Sequence, residues 1–196
     1  MKDPDLLRAV IPIVEVFDEL SIPYYIGGSI ASSVYGIARA TIDVDIVAEI
    51  GMNHIGLLKD RLKQDYYIDE MMIADAIEHG LAFNLIHLET SVKIDLFVLQ
   101  DELYPRTAMN RRNRDTLSQE QATAEVYFCT AEDIIIHKLQ WYEAGGKVSE
   151  RQWFDVLGVI KVQAESLDKG YLKHWAKELG ISELLQKAFE EAGVSL

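Results

Sequence analysis

The chain has 196 residues, enough for one compact domain or a domain with a small appendage, and 49% of them are hydrophobic, so a real core can form. A formal net charge of −13 argues against a surface that serves throughout as a nucleic-acid platform, and 4 prolines without any low-complexity run argue against disorder beyond the ends. The single cysteine, Cys129, excludes a disulfide framework or a cysteine-based zinc site within one chain; with no signal-like apolar core and no apolar run near the roughly 20 residues needed to cross a bilayer, a soluble cytoplasmic protein without a membrane partner is expected.

In chain order, the pattern predicts an amphipathic helix over residues 3–20, with Asp3 as cap, Pro4 at the first position and Leu6, Leu7, Val10, Val14, Phe17 and Leu20 on one face. Ser21-Ile22-Pro23 breaks it. Tyr24–Ile26 reads as a short strand, Gly27-Gly28 as a turn, residues 30–35 as a helix and residues 41–47 as a second strand. Asn53 is expected to cap a helix reaching residue 64, and a further helix covers residues 70–78, stopped by Gly80. Residues 81–88 and 92–99 read as strands joined by Glu89-Thr90-Ser91 in a hairpin. Residues 101–125 are expected to hold one helix and a loop, and the chain from Val126 onward to be all helical. Thr130 with Asp133 and Ser149 with Gln152 resemble capping boxes for two helices, and two shorter helices follow over residues 171–179 and 182–191.

Side chains alternate along a strand, so Asp43 and Asp45 share one face while Ile42, Val44 and Ile46 take the other. In the later strand Lys93, Asp95 and Phe97 oppose Val92, Ile94, Leu96 and Val98. Carboxylates embedded in apolar strands repel one another when charged and bare, and divalent cations relieve that repulsion. Two Mg²⁺ ions held by Asp43, Asp45 and Asp95 would suit in-line phosphoryl or nucleotidyl transfer, since Mg²⁺ prefers carboxylate oxygen. Gly27-Gly28-Ser29 opens a helix, so backbone N–H groups, the helix dipole and the Ser29 hydroxyl can meet a phosphate; a plain helix cap is the competing role for Ser29. Arg39 either meets a phosphate or covers the sheet end. Arg106, Arg111, Arg112 and Arg114 form either a local basic groove or a solvated face. His54, His79, His87, His137 and His174 show no metal-ligand spacing, and core packing is the better reading for most of Trp141, Trp153 and Trp175.

Gly28-Ser29, Asp43-Val44-Asp45 and Asp95 in a later strand resemble the DNA polymerase β-like nucleotidyltransferase superfamily. Lys93-Ile94-Asp95-Leu96 resembles the Lys-hydrophobic-Asp motif of its AbiEii-type branch, which includes toxins of toxin–antitoxin and abortive-infection systems. Glu132–Leu139 and Ser149–Leu157 resemble that branch's downstream lysine helix and Arg/Asp helix. The resemblance implies an α/β nucleotidyltransferase fold, a small mixed sheet flanked by helices over residues 1–125. Residues 126–196 would form a helical region that packs across the cleft and supplies Lys138. It further implies that Lys138 contacts the nucleoside triphosphate (NTP) and that Asp155 orients that lysine or the nucleotide. A plain ion pair of Asp155 with Arg151, four residues earlier on the same helix face, is the alternative.

The expected reaction is Mg²⁺-dependent transfer of a nucleoside monophosphate from NTP to an acceptor. Asp43, Asp45 and Asp95 are its catalytic and metal-binding residues; Gly28, Ser29, Arg39, Lys138 and Asp155 are its nucleotide-binding residues. For a toxin-like enzyme the acceptor is tRNA or another RNA. The alternatives are a protein or an antibiotic-like small molecule as acceptor, or a non-catalytic, antitoxin-like module that works by contact with a cognate toxin or antitoxin partner.

Overall fold

The computed structural model describes residues 4–39, 41, 43–119 and 122–196. The chain divides into two compact units: Met1–Gly27 with Ala40–Phe128, and Gly28–Arg39 with Cys129–Leu196. All the strands of the described residues lie in the first unit, and the second is helical.

The first unit is built on a seven-stranded mixed sheet. Its strands are β1 (Tyr24–Ile26), β2 (Asp43–Ala48), β3 (Tyr66–Tyr67), β4 (Ala82–His87), β5 (Lys93–Val98), β6 (Asn113–Gln119) and β7 (Ala122–Phe128), in the spatial order β3-β4-β5-β2-β1-β7-β6. Strand β2 is therefore the middle strand. It runs antiparallel to β1 and parallel to β5, and β4–β5 is the antiparallel hairpin expected around Glu89-Thr90-Ser91. Alternation on β2 and β5 follows the sequence reading: Val44, Ile46, Ile94 and Leu96 are fully buried, and Asp43, Asp45, Lys93 and Asp95 are half-buried on the other face. Ile42 lies outside the described residues.

Helix α1 (Pro4–Glu19) starts on the proline that suits a first helical position, and Asp3, the expected cap, lies outside the described residues. Pro12 stands inside α1 without ending it, because Leu6, Leu7, Val10, Ile13, Val14 and Phe17 bury one continuous stripe. Asn53 does not cap the next helix. The His54 ring turns back to accept the Gly51 N–H at 3.0 Å, a 3₁₀ turn covers Met52–His54, and α3 spans Ile55–Leu62. Asp69 caps α4 (Glu70–His79) by accepting the N–H groups of Met71 and Met72, and Gly80, at φ 63°, ends it in the left-handed region.

Two expectations fail between residues 101 and 128. After α5 (Leu103–Arg111) the chain forms the β6–β7 hairpin where a loop was expected, and Val126–Phe128 belong to β7 where helix was expected. Strand β6 carries polar side chains and is the sheet edge, where pairing with β7 supplies the hydrogen bonds and exposed charge is tolerated. Its sequence lacks the apolar alternation that marks a half-buried strand.

The second unit gathers α2 (Gly28–Tyr35), α6 (Ala131–Ala144), α7 (Glu150–Gln163), α8 (Lys169–Glu178) and α9 (Ser182–Ala192). Thr130 and Ser149 cap α6 and α7 through the N–H groups of Asp133 and Gln152, the first half of each expected capping box, while the Gln152 side-chain oxygen is buried and does not complete the second; Asp168 caps α8. In the first box the Asp133 carboxylate accepts the Thr130 hydroxyl at 2.7 Å. It also accepts the Tyr171 hydroxyl at 2.6 Å, which satisfies a fully buried acid. Ile135, Leu139, Val156, Ile160, Leu172, Leu185 and Phe189 form the apolar centre. Trp153 and Trp175 are buried as expected, whereas Trp141 is exposed.

The contact of α2 with α7 is made by glycines. A Cβ on Gly36 would lie 2.8 Å from the Val159 nitrogen and 3.0 Å from the Gly158 carbonyl carbon. A Cβ on Gly158 would lie 3.3 Å from the Ile37 nitrogen. Backbone meets backbone here, which only residues without side chains permit.

Candidate functional site

In the sheet unit, β2 and β5 are in a register that pairs Asp43 with Lys93 and Asp45 with Asp95. Four ionisable residues thus occupy two adjacent rungs of one sheet face. Asp45 opposite Asp95 is a like-charge pair, unfavourable by itself. Lys93 Nζ lies 2.7 Å from the Asp95 carboxylate on the same strand face. That hydrogen bond, followed by the fields of Asp95, Asp43 and Asp45, outweighs partial desolvation and raises the Lys93 pKa. The Gly27 N–H donates to the Asp45 carbonyl at 2.9 Å and ties the end of β1 to this rung. Thr41 donates its hydroxyl to the Asp43 carbonyl at 3.3 Å.

All three carboxylates are present, on one face of adjacent strands, and an all-oxygen donor set is chemically suited to Mg²⁺. Among the described residues, no three histidine, cysteine or acidic side chains are gathered as a ready metal cage. The cation engaging Asp95 is Lys93, a residue that the sequence reading placed on this face but gave no role.

In the helical unit a second cluster forms around Asp155. Arg39 reaches it with two parallel hydrogen bonds, Nε to Oδ1 and Nη2 to Oδ2, both 2.8 Å. Lys138 Nζ donates to Oδ2 at 2.9 Å, and Arg39 Nη2 also donates to the Ser29 hydroxyl at 2.5 Å. The side chains of Lys138 and Asp155 are each 6% exposed, that of Arg39 25%. Burial alone would raise the Asp155 pKa, but the hydrogen bonds from Arg39 and Lys138 and their charges prevail and hold it below the usual carboxylate range. Two cations share one anion, so the cluster carries a net positive charge.

Gly28 adopts φ 54°, a left-handed conformation that glycine reaches without a Cβ penalty, and it starts α2. Ser29 lies inside the first turn of α2 rather than at its cap, and its hydroxyl is turned to Arg39. The Gly36–Gly158 contact stands three residues from Arg39 on one side and three residues from Asp155 on the other, and so sets their approach. Asp155 pairs with Arg39 and Lys138, while Arg151, its expected alternative partner, is exposed. The Arg39–Asp155 pairing spans 116 residues, and nothing local in the sequence announces it.

The arginine cluster does not form an open basic groove. Arg106 is ion-paired with Glu49 and with Asp101, Arg114 with Glu125 at 3.1 Å, and Arg112 and Arg114 stand over the Tyr127 ring at 4.7 and 5.9 Å. No helix is long and apolar enough to cross a membrane among the described residues.

No protein-family model matches the sequence, and no curated protein matches it. Solved structures do. An antigenic nucleotidyltransferase-like protein from Paracoccidioides brasiliensis superposes with a TM-score of 0.60 at 20% identity, covering 97% of this chain and 93% of that one. ANT(2'')-Ia in complex with adenylyl-2''-tobramycin gives 0.55 at 13% identity, covering 89% and 97%. A nucleotidyltransferase described as putative, from Thermotoga maritima, gives 0.51 at 10% identity, covering 79% and 96%. At these identities the likeness is one of architecture, and by that measure the chain has the fold of nucleotidyltransferase-like proteins.

Proposed function

We propose that this chain is a nucleotidyltransferase that moves a nucleoside monophosphate from NTP to an acceptor hydroxyl and releases pyrophosphate. The observation that carries the reading is the β2–β5 register, which sets Asp45 beside Asp95 with Asp43 on the same face. Stability gives no reason to place like charges on facing rungs; a cationic ligand does. Asp43, Asp45 and Asp95 would hold Mg²⁺, as two ions, and bound Mg²⁺ would neutralise the triphosphate and lower the pKa of the acceptor hydroxyl. Asp95 accepts the proton as the acceptor oxygen bonds to the α-phosphorus and the bond to pyrophosphate breaks. In the helical unit, the Gly28 backbone, the Ser29 hydroxyl and Arg39, with the positive charge of Lys138 behind them, form a donor set suited to a phosphate group. Asp155 holds both cations in place and is a positioning residue.

A cationic, hydroxyl-bearing small molecule is the acceptor we favour. The net charge of −13 suits such a molecule, and ANT(2'')-Ia, whose solved complex contains adenylyl-2''-tobramycin, shares the fold. The ion pairing of Arg106 and Arg114 weakens the support for RNA. The toxin-like reading, with RNA as acceptor and a cognate antitoxin as partner, rests on Lys93-Ile94-Asp95-Leu96 and its resemblance to the AbiEii-type motif.

Incubation with Mg²⁺ and α-labelled NTPs, against aminoglycoside-type small molecules, total RNA and total protein in parallel, tests the proposal. Label in the small-molecule fraction is expected, and label in RNA alone favours the toxin-like reading. Failure to bind any nucleotide and to label any acceptor overturns the enzymatic reading in favour of a contact module.

A further inference from the structure

Lys93 is the one basic residue on the four-residue face of β2 and β5, directly across from Asp43 and beside Asp95. Three carboxylates packed on two rungs carry a repulsion that the fold must hold in check before any divalent cation arrives. The Lys93 ammonium, 2.7 Å from Asp95, does this with a flexible side chain that is 43% exposed. Strand geometry gives it this position: residues 93 and 95 are two apart and project to the same side. Its exposure leaves it free to swing into water at little cost, unlike Lys138, which is buried in its own cluster.

We propose that Lys93 is an internal counter-ion that holds the Asp43–Asp45–Asp95 face together and gives up Asp95 when a divalent cation binds. This rests on the reading of those carboxylates as cation ligands. The ammonium competes with the incoming cation for the same oxygens, so each binding event includes the release of an ion pair. Lys93 thereby lowers cation affinity while stabilising the cation-free protein. The exchange leaves every proton in place: Lys93 departs as an ammonium ion and becomes hydrated.

The test compares wild type, Lys93→Met and Lys93→Arg, with Asp45→Asn as control. The probe is Mn²⁺, its free aquo ion counted by electron paramagnetic resonance, and each protein is also melted without and with Mn²⁺. Lys93→Met should bind Mn²⁺ about tenfold more tightly than wild type, the size expected for removing one nearby positive charge at partial exposure. It should melt lower without the ion and gain more from it. Lys93→Arg, which keeps the charge, should stay within about threefold of wild type. Equal Mn²⁺ affinity in wild type and Lys93→Met, with Asp45→Asn weakened, overturns the counter-ion role while leaving the carboxylate site standing. No Mn²⁺ binding by wild type, or binding untouched by Asp45→Asn, overturns the carboxylate reading itself and this inference with it. Should Lys93→Met fail to fold, Lys93→Gln carries the same comparison.

Discussion

Neutralising Asp155 should destabilise the helical unit strongly, because its carboxylate accepts three charge-assisted hydrogen bonds from two cations. Its carboxylate pairs with the Lys138 ammonium and takes both parallel hydrogen bonds of Arg39. In Asp155→Asn the Lys138 ammonium stays 6% exposed without its counter-charge, and the Arg39 fork faces an amide that can accept at one atom only. Breaking a buried ion pair from one side costs about 3–5 kcal/mol, because the remaining charge is left in a poorly solvating interior. For a chain of this size each kcal/mol moves the melting temperature by about 2–4 °C, so the transition should fall by roughly 6–20 °C. Removing the cation instead, with Lys138→Met, leaves Asp155 held by Arg39 and should cost about 1–3 kcal/mol. The double variant Lys138→Met/Asp155→Asn should recover at least about 1 kcal/mol relative to the sum of the two. Urea unfolding followed by tryptophan fluorescence measures this well, since Trp141, Trp153 and Trp175 all lie in the helical unit. A loss below about 1 kcal/mol for Asp155→Asn, or strict additivity in the double variant, would refute the reasoning.

The same cluster has a pH signature. The Asp155 pKa is lowered by folding, so its stabilisation is fully present above the ordinary value of 3.8 and fades as pH falls through the lower folded value; Asp155→Asn should flatten that acid limb in urea melts taken between about pH 5 and pH 2. Gly36→Ala should cost about 1–3 kcal/mol, because its Cβ would sit 2.8 Å from the Val159 nitrogen and the backbones must part; nucleotide affinity should fall with stability as Arg39 and Asp155 are drawn apart, and an unchanged melting temperature counts against the close-contact argument. Asp45→Asn should remove nucleotidyl transfer by at least about 10³-fold while leaving the melting temperature unchanged or raised, since it relieves the charge facing Asp95; retained labelling of any acceptor strikes Asp45 from the site.

Much of the sheet unit was readable from local pattern. Period-two alternation in Asp43–Ala48 and Lys93–Val98 announced both strands and the faces of their carboxylates, because one side had to be buried. Proline and capping residues marked the starts of α1, α6 and α7, and glycines marked the ends of α4 and α6. The β6–β7 hairpin was missed for the converse reason. Its polar edge strand gains its conformation from backbone hydrogen bonds to β7, which side-chain periodicity does not record. Asn53 failed as a cap because the His54 ring reached the Gly51 N–H instead.

The residue types of the candidate site and the strand faces of its carboxylates were determined by the sequence alone, since side-chain direction in a strand follows from the backbone's own geometry. Which residues meet was decided by tertiary structure. The parallel register set Asp45 against Asp95 and Lys93 against Asp43, and the Gly36–Gly158 backbone contact brought Arg39 onto Asp155 across 116 residues of chain. Ion pairing and close packing act through space, so their partners follow from the fold and not from the order of residues.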